Sequence, residues 1–401
     1  SAYAAAKNGV NVILAEDKPR FGGSLLTSEV NIGNQSGKDW AKKIITELKE
    51  MPNVIIKNRA QVFGYYDHNM LVMSERISDH LPKTKKYTPK QRLWYIRAKE
   101  VVISSGSIER PIIFGNNDTP GVVLASAAKE YLKVYGVLVG KKPLIFTNND
   151  SAYETAIEFK KNGIWPIVLD TRSNPDSEII NEAKSMGIDI RFSHVVIAAK
   201  GYKKVKSAEI AKISEDKKDL GKIENISCDC ICVSGFWTPT IHLASQSGNK
   251  TKFNEDIDAF VPDKSKQRET TLGSANGIFT LEETLKTSFE AGHEISKKIT
   301  NNDNKISVPQ VSEKKNTQHD KFWCVPLPKK KKYKRFLDFQ NDVTVTDVEL
   351  ALREGYRSIE HVKRYTTLGM ATDQGKTSNL NGLQLVSNIE NKIVPAVGHT
   401  T

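Results

Sequence analysis

The chain has 401 residues, of which 38% are hydrophobic and 26% charged, and its formal net charge is +12. That length exceeds one small domain and predicts two or three ordinary cores. No apolar run approaches the roughly 20 residues needed to span a bilayer and no secretory signal is evident, so a soluble, cytoplasmic protein with no membrane partner is expected. Lysine is spread along the chain. The one dense run, Lys329 to Arg335, follows Pro326 and Pro328 and reads as a solvated linker, not a nucleic-acid patch, so no nucleic-acid partner is expected.

Ser1 to Lys7 is Ala-rich and helical, with Asn8-Gly9 as its C-cap, and Val10 to Leu14 is a short apolar strand followed by Glu16 and Asp17. Helix, tight turn, buried strand and acidic residue form the second half of a Rossmann βαβ unit. The chain is therefore expected to begin just after its glycine-rich phosphate loop. Glu16 is the candidate acceptor for the adenosine ribose, where a carboxylate repels a 2′-phosphate and favours NAD or FAD over NADP; an ordinary acidic residue after a strand is the other reading. Gly22-Gly23, within Phe21 to Leu25, let backbone approach a ligand, or simply make a turn. Lys38 to Glu50 is an amphipathic helix and Val54 to Ile56 a strand. From Ala60 to Ile96 the pattern predicts paired strands around a polar loop, Ser78 to Pro89. Val101 to Gly106 is a buried strand ending in small residues that leave room for a cofactor at Gly106.

A second βαβ pattern runs from Leu144-Ile145-Phe146 through the turn Thr147 to Ser151, the helix Ala152 to Lys161 and the strand Ile167 to Leu169, ending in Asp170. Its turn lacks glycine, and side chains there would crowd a pyrophosphate, so it reads as a structural copy with weak or no dinucleotide binding. Cys228, Cys230 and Cys232 alternate along one apparent strand and are expected on one face as buried thiols; neither CxxC pairing nor HExxH spacing supports a metal site. The turns at Val233 to Gly235 and Gly273 to Gly277 come next, the second leading into a helix from Leu281 to Ile299. Asn301 to Lys334 reads as a linker. Beyond it Asp342 to Gly355 and Ser358 to Tyr365 read as helices, Gly369 to Asn379 as a polar loop, and Val394 to Thr401 as an extended segment. No GxSxG elbow supports a serine hydrolase.

Several of these residues carry a family resemblance. Ile103 to Gly106, Glu109-Arg110-Pro111 and Asn116 to Gly121 look like the linking segment of two-dinucleotide-domain flavoproteins. With Ser234 to Pro239 and the long stretch His361 to Thr377, the chain resembles, over essentially its whole length, the alpha subunits of heterotetrameric sarcosine oxidases. The resemblance implies an α/β fold with two Rossmann-like dinucleotide-binding domains followed by a small helical module. The boundaries expected are 1–140 for the first domain, with a β insertion near 60–97, and 141–235 for the degenerate second. A return to the first at 236–300, a linker at 301–335, the module at 336–390 and the start of a further domain at 391–401 complete the division.

The resemblance further implies an oxidoreductase that demethylates sarcosine oxidatively, with beta, gamma and delta partner subunits. The alpha subunit would carry NAD, and FMN would be covalent on the beta subunit near the alpha–beta contact. Oxidation would occur in the beta subunit, so no catalytic residue and no metal ligand are expected in this chain, and a folate site belongs to a C-terminal region beyond it. NAD contacts carried across would fall on Glu16, Asp17, Ser24, Val62, Phe63 and the turn Gly273, Ser274, Ala275 and Gly277 with Phe279.

Two departures matter. That turn reads Ser274-Ala275-Asn276 where related flavoproteins often have an Asp for the flavin ribityl chain, which favours a nicotinamide dinucleotide over FAD. The helical module resembles small iron–sulfur modules, but its four ligand positions hold Asp338, Gln340, Asp373 and Ser378, and no cluster is expected without thiolates. The loop offers Arg364, Thr366, Thr367, Lys376, Thr377 and Ser378, which either touch the FMN phosphate at the beta-subunit contact or pack on a partner without touching cofactor. A dye-linked amine or imino-acid dehydrogenase subunit, disfavoured by the missing cysteines, and a non-catalytic scaffold are the alternative readings.

Overall fold

The structure, a computed structural model, describes residues 1–302, 304–313 and 319–398. Residue contacts divide the chain into two compact units. The first comprises Ser1–Ser107, Pro239–Asn254 and Phe260–Glu313; the second comprises Ile108–Thr238, Glu255–Ala259 and Lys314–Thr401.

In the first unit the helix Ala2–Lys7 leads to the strand Val12–Ala15, which runs parallel to Val54–Lys57. The crossover between them is the helix Gly37–Glu50, whose first turn is capped by Ser36 Oγ accepting from Asp39 N at 3.1 Å. An antiparallel meander follows, in the order Ala60–Tyr66, Met70–Arg76 and Gln91–Arg97. Val101–Ile103 then pairs in parallel with Glu269–Thr271, and the 20-residue helix Leu281–Thr300 comes next. This helix and Ala2–Lys7 lie backbone to backbone. A Cβ on Gly292 would sit 2.6 Å from Ser1 O and 2.8 Å from the Ala4 methyl, so only glycine permits the approach.

The second unit is built on a five-stranded parallel sheet in the order Val122–Leu124, Cys230–Ser234, Pro143–Thr147, Ile167–Asp170, Asp189–Phe192. The boundary expected near residue 140 falls instead at 107 and 108. The reason is the parallel pairing of Val122–Leu124 with Cys230–Ser234, which draws that segment into this sheet. The strand Cys230–Ser234 is buried on both faces. Ile231 and Val233 pack with Phe114 and Phe146 on one side, and Cys230 and Cys232 with Ile145, Ala152 and Tyr153 on the other. Cys228 packs on the Ile231 side, so the three thiols do not share a face as the alternation predicted. The strand begins only at Cys230, and the irregular step at Asp229 resets the parity.

The expected linker is only partly solvent-facing. Phe322, Trp323 and Val325 are buried, and Ile113 exchanges backbone hydrogen bonds with Trp323 and Val325 at 2.7 and 2.8 Å. Within the lysine run, Lys331 and Tyr333 both reach Glu209, at 3.2 and 2.8 Å. Residues 303 and 314–318 of that segment lie outside the described residues.

The helical module contains Val345–Arg353, opened by a Thr344–Asp347 capping box, then Ile359–Thr366 and Asn379–Glu390. The last helix is missing from the sequence reading because it is buried nearly all round, from Asn379 and Asn381 to Leu383, Val386 and Ser387. It therefore shows no polar stripe, and its own Gly and Asn residues argue against helix. The extended segment expected from Val394 is instead a 3-10 turn over Val394–Ala396; 399–401 lie outside the described residues. Among the described residues no helix is long and apolar enough to cross a membrane.

Candidate functional site

Both groups of candidate dinucleotide contacts in the first unit lie at carboxyl ends of parallel strands, where open α/β sheets bind ligands. Glu16 directly follows Val12–Ala15. Its amide donates to Lys57 O at 2.9 Å and its carbonyl accepts from Ala60 N at 2.8 Å, which seats it between the parallel pair and the first strand of the meander. Its carboxylate accepts from Lys18 N at 3.0 Å. Burial, followed by a hydrogen bond shared with Asp17, pushes the Glu16 carboxyl up to about 7. Val62 and Phe63 lie on the same meander strand at a bulge, with Phe63 exposed.

Gly22 and Gly23 both take positive φ, 128° and 52°, and begin the 3-10 turn Gly23–Leu26. A Cβ on Gly22 would collide with Leu26 at 2.9 Å, whereas that of Gly23 would meet open space, so the backbone at Gly23 is accessible from outside. Ser24 is exposed. The second group forms around Ile103, whose carbonyl accepts from Leu272 N at 2.9 Å. This bond brings the turn Gly273–Asn276 beside Gly106, where a Cβ would lie 3.9 Å from Ser274 Oγ. Gly106, Gly273 and Gly277 all have positive φ; Ala275 is buried and Phe279 half-buried.

The second unit's corresponding turn is filled. Thr147, Asn148, Asn149 and Asp150 are all buried. Asn148 Nδ2 donates to the carbonyls of Asp320 and Phe322 at 2.8 and 3.0 Å, and Asn149 Nδ2 donates to Ser234. Asp170, at the strand end that matches Glu16 in the first unit, is gripped by Arg172 at 2.7 Å and accepts from Tyr153 Oη at 2.8 Å, while Arg172 also holds Asp150 at 2.8 Å. Neither a glycine-freed backbone nor an unengaged carboxylate faces outward here.

The loop of the helical module is a separate site. Asp338, at a would-be cluster position, is buried. It accepts from the amides of Gln340, Asn341 and Gly369 at 2.9, 3.2 and 2.7 Å. Gln340 accepts from Thr372 Oγ1 at 2.8 Å, and Asp373 from Gly375 N at 3.1 Å. Hydrogen bonds thus gather the loop at positions where the resemblance would place thiolates. These residues do not suit a cluster, and among the described residues no group of three or more His, Cys, Asp or Glu is placed to hold a metal.

Gly369 and Gly375 take positive φ and crowd the Asn379 amide, which leaves no room for a side chain at either. Arg364 and Lys376 are exposed, and Thr377 is half-buried. The Thr366 and Thr367 hydroxyls donate to the carbonyls of Val362 and Thr366 at 2.7 and 2.6 Å, so their protons are already committed. Ser378 Oγ is buried without a hydrogen-bond partner. Two cations and one orphaned hydroxyl therefore suit an anion better than the two threonines do.

Arg110 is a residue whose role the sequence did not reveal. Its buried guanidinium lies 3.7 Å from the Trp323 ring centroid and donates to Asn381 Oδ1 at 2.5 Å and Leu380 O at 3.3 Å. Burial lowers its pKa to about 9, opposed by Asp258, so it stays charged at neutral pH. It ties the helix Asn379–Glu390 to the segment after Glu109. No local spacing signals such a contact, because the partners are far apart in sequence.

Residues 332–401 match the family described as Sarcosine oxidase A3 domain. The whole chain aligns with Sarcosine oxidase subunit alpha of Rhizobium meliloti at 34% identity, covering 39% of that protein, and with that of Corynebacterium sp. strain P-1 at 32%, covering 42%. Along its whole length the chain is related to sarcosine oxidase alpha subunits. It spans about two fifths of the length of these relatives. Among solved structures, L-proline dehydrogenase from P. horikoshii is similar over 100% of this chain and 74% of that chain, with TM-score 0.72 at 19% identity. Thioredoxin reductase from T. acidophilum covers 74% of this chain and 93% of that chain, with TM-score 0.56 at 15% identity. The fold is accordingly the α/β fold shared with these two proteins, in line with the two βαβ patterns of the sequence.

Proposed function

We propose that this chain is the NAD-binding portion of the alpha subunit of a heterotetrameric sarcosine oxidase, assembled with beta, gamma and delta subunits in the cytoplasm. The observation that carries the reading is the half-buried carboxyl of Glu16 at the end of a parallel strand, followed by the positive-φ pair Gly22-Gly23. Glu16 would accept from the adenosine ribose hydroxyls, with Asp17 and Ser24 beside it and Val62 and Phe63 flanking the adenosine. Gly106 and the turn Gly273, Ser274, Ala275 and Gly277, with Phe279, would leave room for the rest of the dinucleotide. A 2′-phosphate would meet the Glu16 and Asp17 carboxylates, which selects NAD over NADP.

No residue of this chain is assigned a proton-transfer role. The two-electron oxidation of the amine would be supplied by a flavin in the beta subunit. Arg364 and Lys376, with Ser378 Oγ between backbone freed by Gly375, would hold the phosphate of an FMN covalent on that subunit; Thr366, Thr367 and Thr377 shape the loop around it. Co-expression with the neighbouring subunits followed by denaturation tests the assignment. NAD is expected in the released fraction and flavin on the partner polypeptide. Release of FAD alone overturns the NAD assignment, and a Lys376→Ala complex with unchanged flavin content and turnover overturns the phosphate role.

A further inference from the structure

The meander of the first unit ends in an open edge. Gln91–Arg97 pairs with Met70–Arg76 on one side, and among the described residues no strand pairs with it on the other. Its register fixes which backbone groups face outward. Ile77 N donates to Lys90 O at 2.9 Å and Ala98 N to Asn69 O at 3.1 Å, so the even-numbered residues bond inward. The amides and carbonyls of Gln91, Leu93, Tyr95 and Arg97 therefore point off the edge. The side chains of the same residues share one exposed face, with Leu93 55% and Tyr95 70% accessible. Tyr66, 48% accessible, lays its ring over Gly64 in the row of residues that also contains Val72 and Tyr95.

The charge along this strand and the loop before it has one sign, with Arg92 paired to Glu75 of the neighbouring strand at 3.8 Å. From Leu81 to Lys99 every Asp, Glu, Lys and Arg position is a Lys or Arg, and Lys83, Lys85, Lys86, Lys90, Arg92 and Arg97 are all exposed. Asp79, at the base of the loop, is already bound by Arg76 and Gln91. Natural edge strands are usually blunted or covered, because a long open edge bearing apolar side chains pairs with other chains. Lysines in the loop discourage one partner in particular, a second copy of this chain, whose own cations would be brought against them.

We propose that this edge is an interaction surface that takes an extended, acidic segment of another polypeptide as a fourth strand. The ladder of outward amides and carbonyls requires a peptide backbone, which a nucleic acid does not offer. Leu93 and Tyr95 on the edge strand supply apolar neighbours for alternate side chains of the added strand, and the cations select carboxylates flanking them. The surface is independent of the nucleotide assignment.

The test uses the chain with a labelled peptide of alternating valine and glutamate. Three comparisons accompany it: the same peptide with lysine for glutamate, the acidic peptide N-methylated at alternate residues, and duplex DNA as competitor. The acidic peptide is expected to bind, the lysine peptide not to bind, and N-methylation to weaken binding about tenfold or more by removing ladder donors without changing charge. Tyr95→Pro and Leu93→Pro should each weaken it comparably with an unchanged unfolding midpoint, since those amides make no bond within the sheet; Tyr95→Asp, which removes the ring and sets a like charge against the acidic peptide, should weaken it comparably where proline unfolds the meander. Equal binding of the N-methylated peptide, or full displacement by DNA, overturns the proposal in favour of a simple anion surface. Self-association abolished by Tyr95→Lys overturns it in favour of a second copy.

Discussion

Lowering the pH from about 8 to about 6 is expected to weaken NAD binding to the assembled protein by about tenfold, through one carboxyl group. Burial and the bond shared with Asp17 raise the Glu16 carboxyl to about 7. In the proposed site a ribose hydroxyl would donate to the ionised form, so binding would require the proton to leave. With that pKa the ionised fraction falls from about 0.9 at pH 8 to about 0.1 at pH 6, which sets the tenfold loss. Apo stability should move the opposite way. A carboxyl raised in the folded state contributes stability that is fully present below its unfolded value near 4.5 and is lost as the pH rises through about 7. Isothermal titration in buffers of differing ionisation enthalpy measures both the affinity and the proton released, and thermal unfolding of the apo protein follows the second trend. Glu16→Gln should abolish the pH dependence and leave affinity weaker by about 10- to 100-fold at pH 8, as expected for losing a hydrogen bond to a charged group. Affinity that is flat between pH 6 and pH 8, or a Glu16→Gln protein retaining the slope, refutes the reasoning.

Two stability predictions follow from buried polar groups. Arg172→Met strands Asp170 and Asp150 without their shared cation and should cost about 3–5 kcal/mol in urea unfolding; a loss below about 1 kcal/mol would mean water already reaches the pair. Gly369→Ala forces a side chain into positive φ and onto the Asn379 amide, and should cost about 1–3 kcal/mol. Adding Asn379→Ala should recover only the collision; full recovery would show that the backbone conformation carries no strain.

Legibility in the sequence followed the range over which each constraint acts. The helix Gly37–Glu50, the strand Val54–Lys57 and the loop between Arg76 and Gln91 each have a local period or a cap, and each is where the pattern predicted. The acidic strand end at Glu16 is likewise a short-range signal. The packing of Phe322, Trp323 and Val325 was not legible, because lysines and prolines around them look solvated while the burial is set by Ile113, far away in the chain. Asn379–Glu390 was missed because its surroundings cover it nearly all round, leaving only Asn388 and Ile389 exposed. Its partner Arg110 could be quoted as part of a family pattern without its geometry being visible. At the cluster positions the sequence excluded thiolates. It did not reveal that Asp338 gathers three amides in their stead.

The close approach of Ala2–Lys7 to Gly292 has a consequence during synthesis. The first unit is discontinuous, and Val101–Ile103 cannot find Glu269–Thr271 until the intervening chain has left the ribosome. At translation rates of about 5–20 residues per second that delay is roughly ten to thirty seconds. Throughout it the first helix and the nascent sheet stand without their closing partners, while the interposed parallel sheet has time to form on its own. Assembly is thereby ordered: the first unit closes only after the parallel sheet inserted within it has left the ribosome.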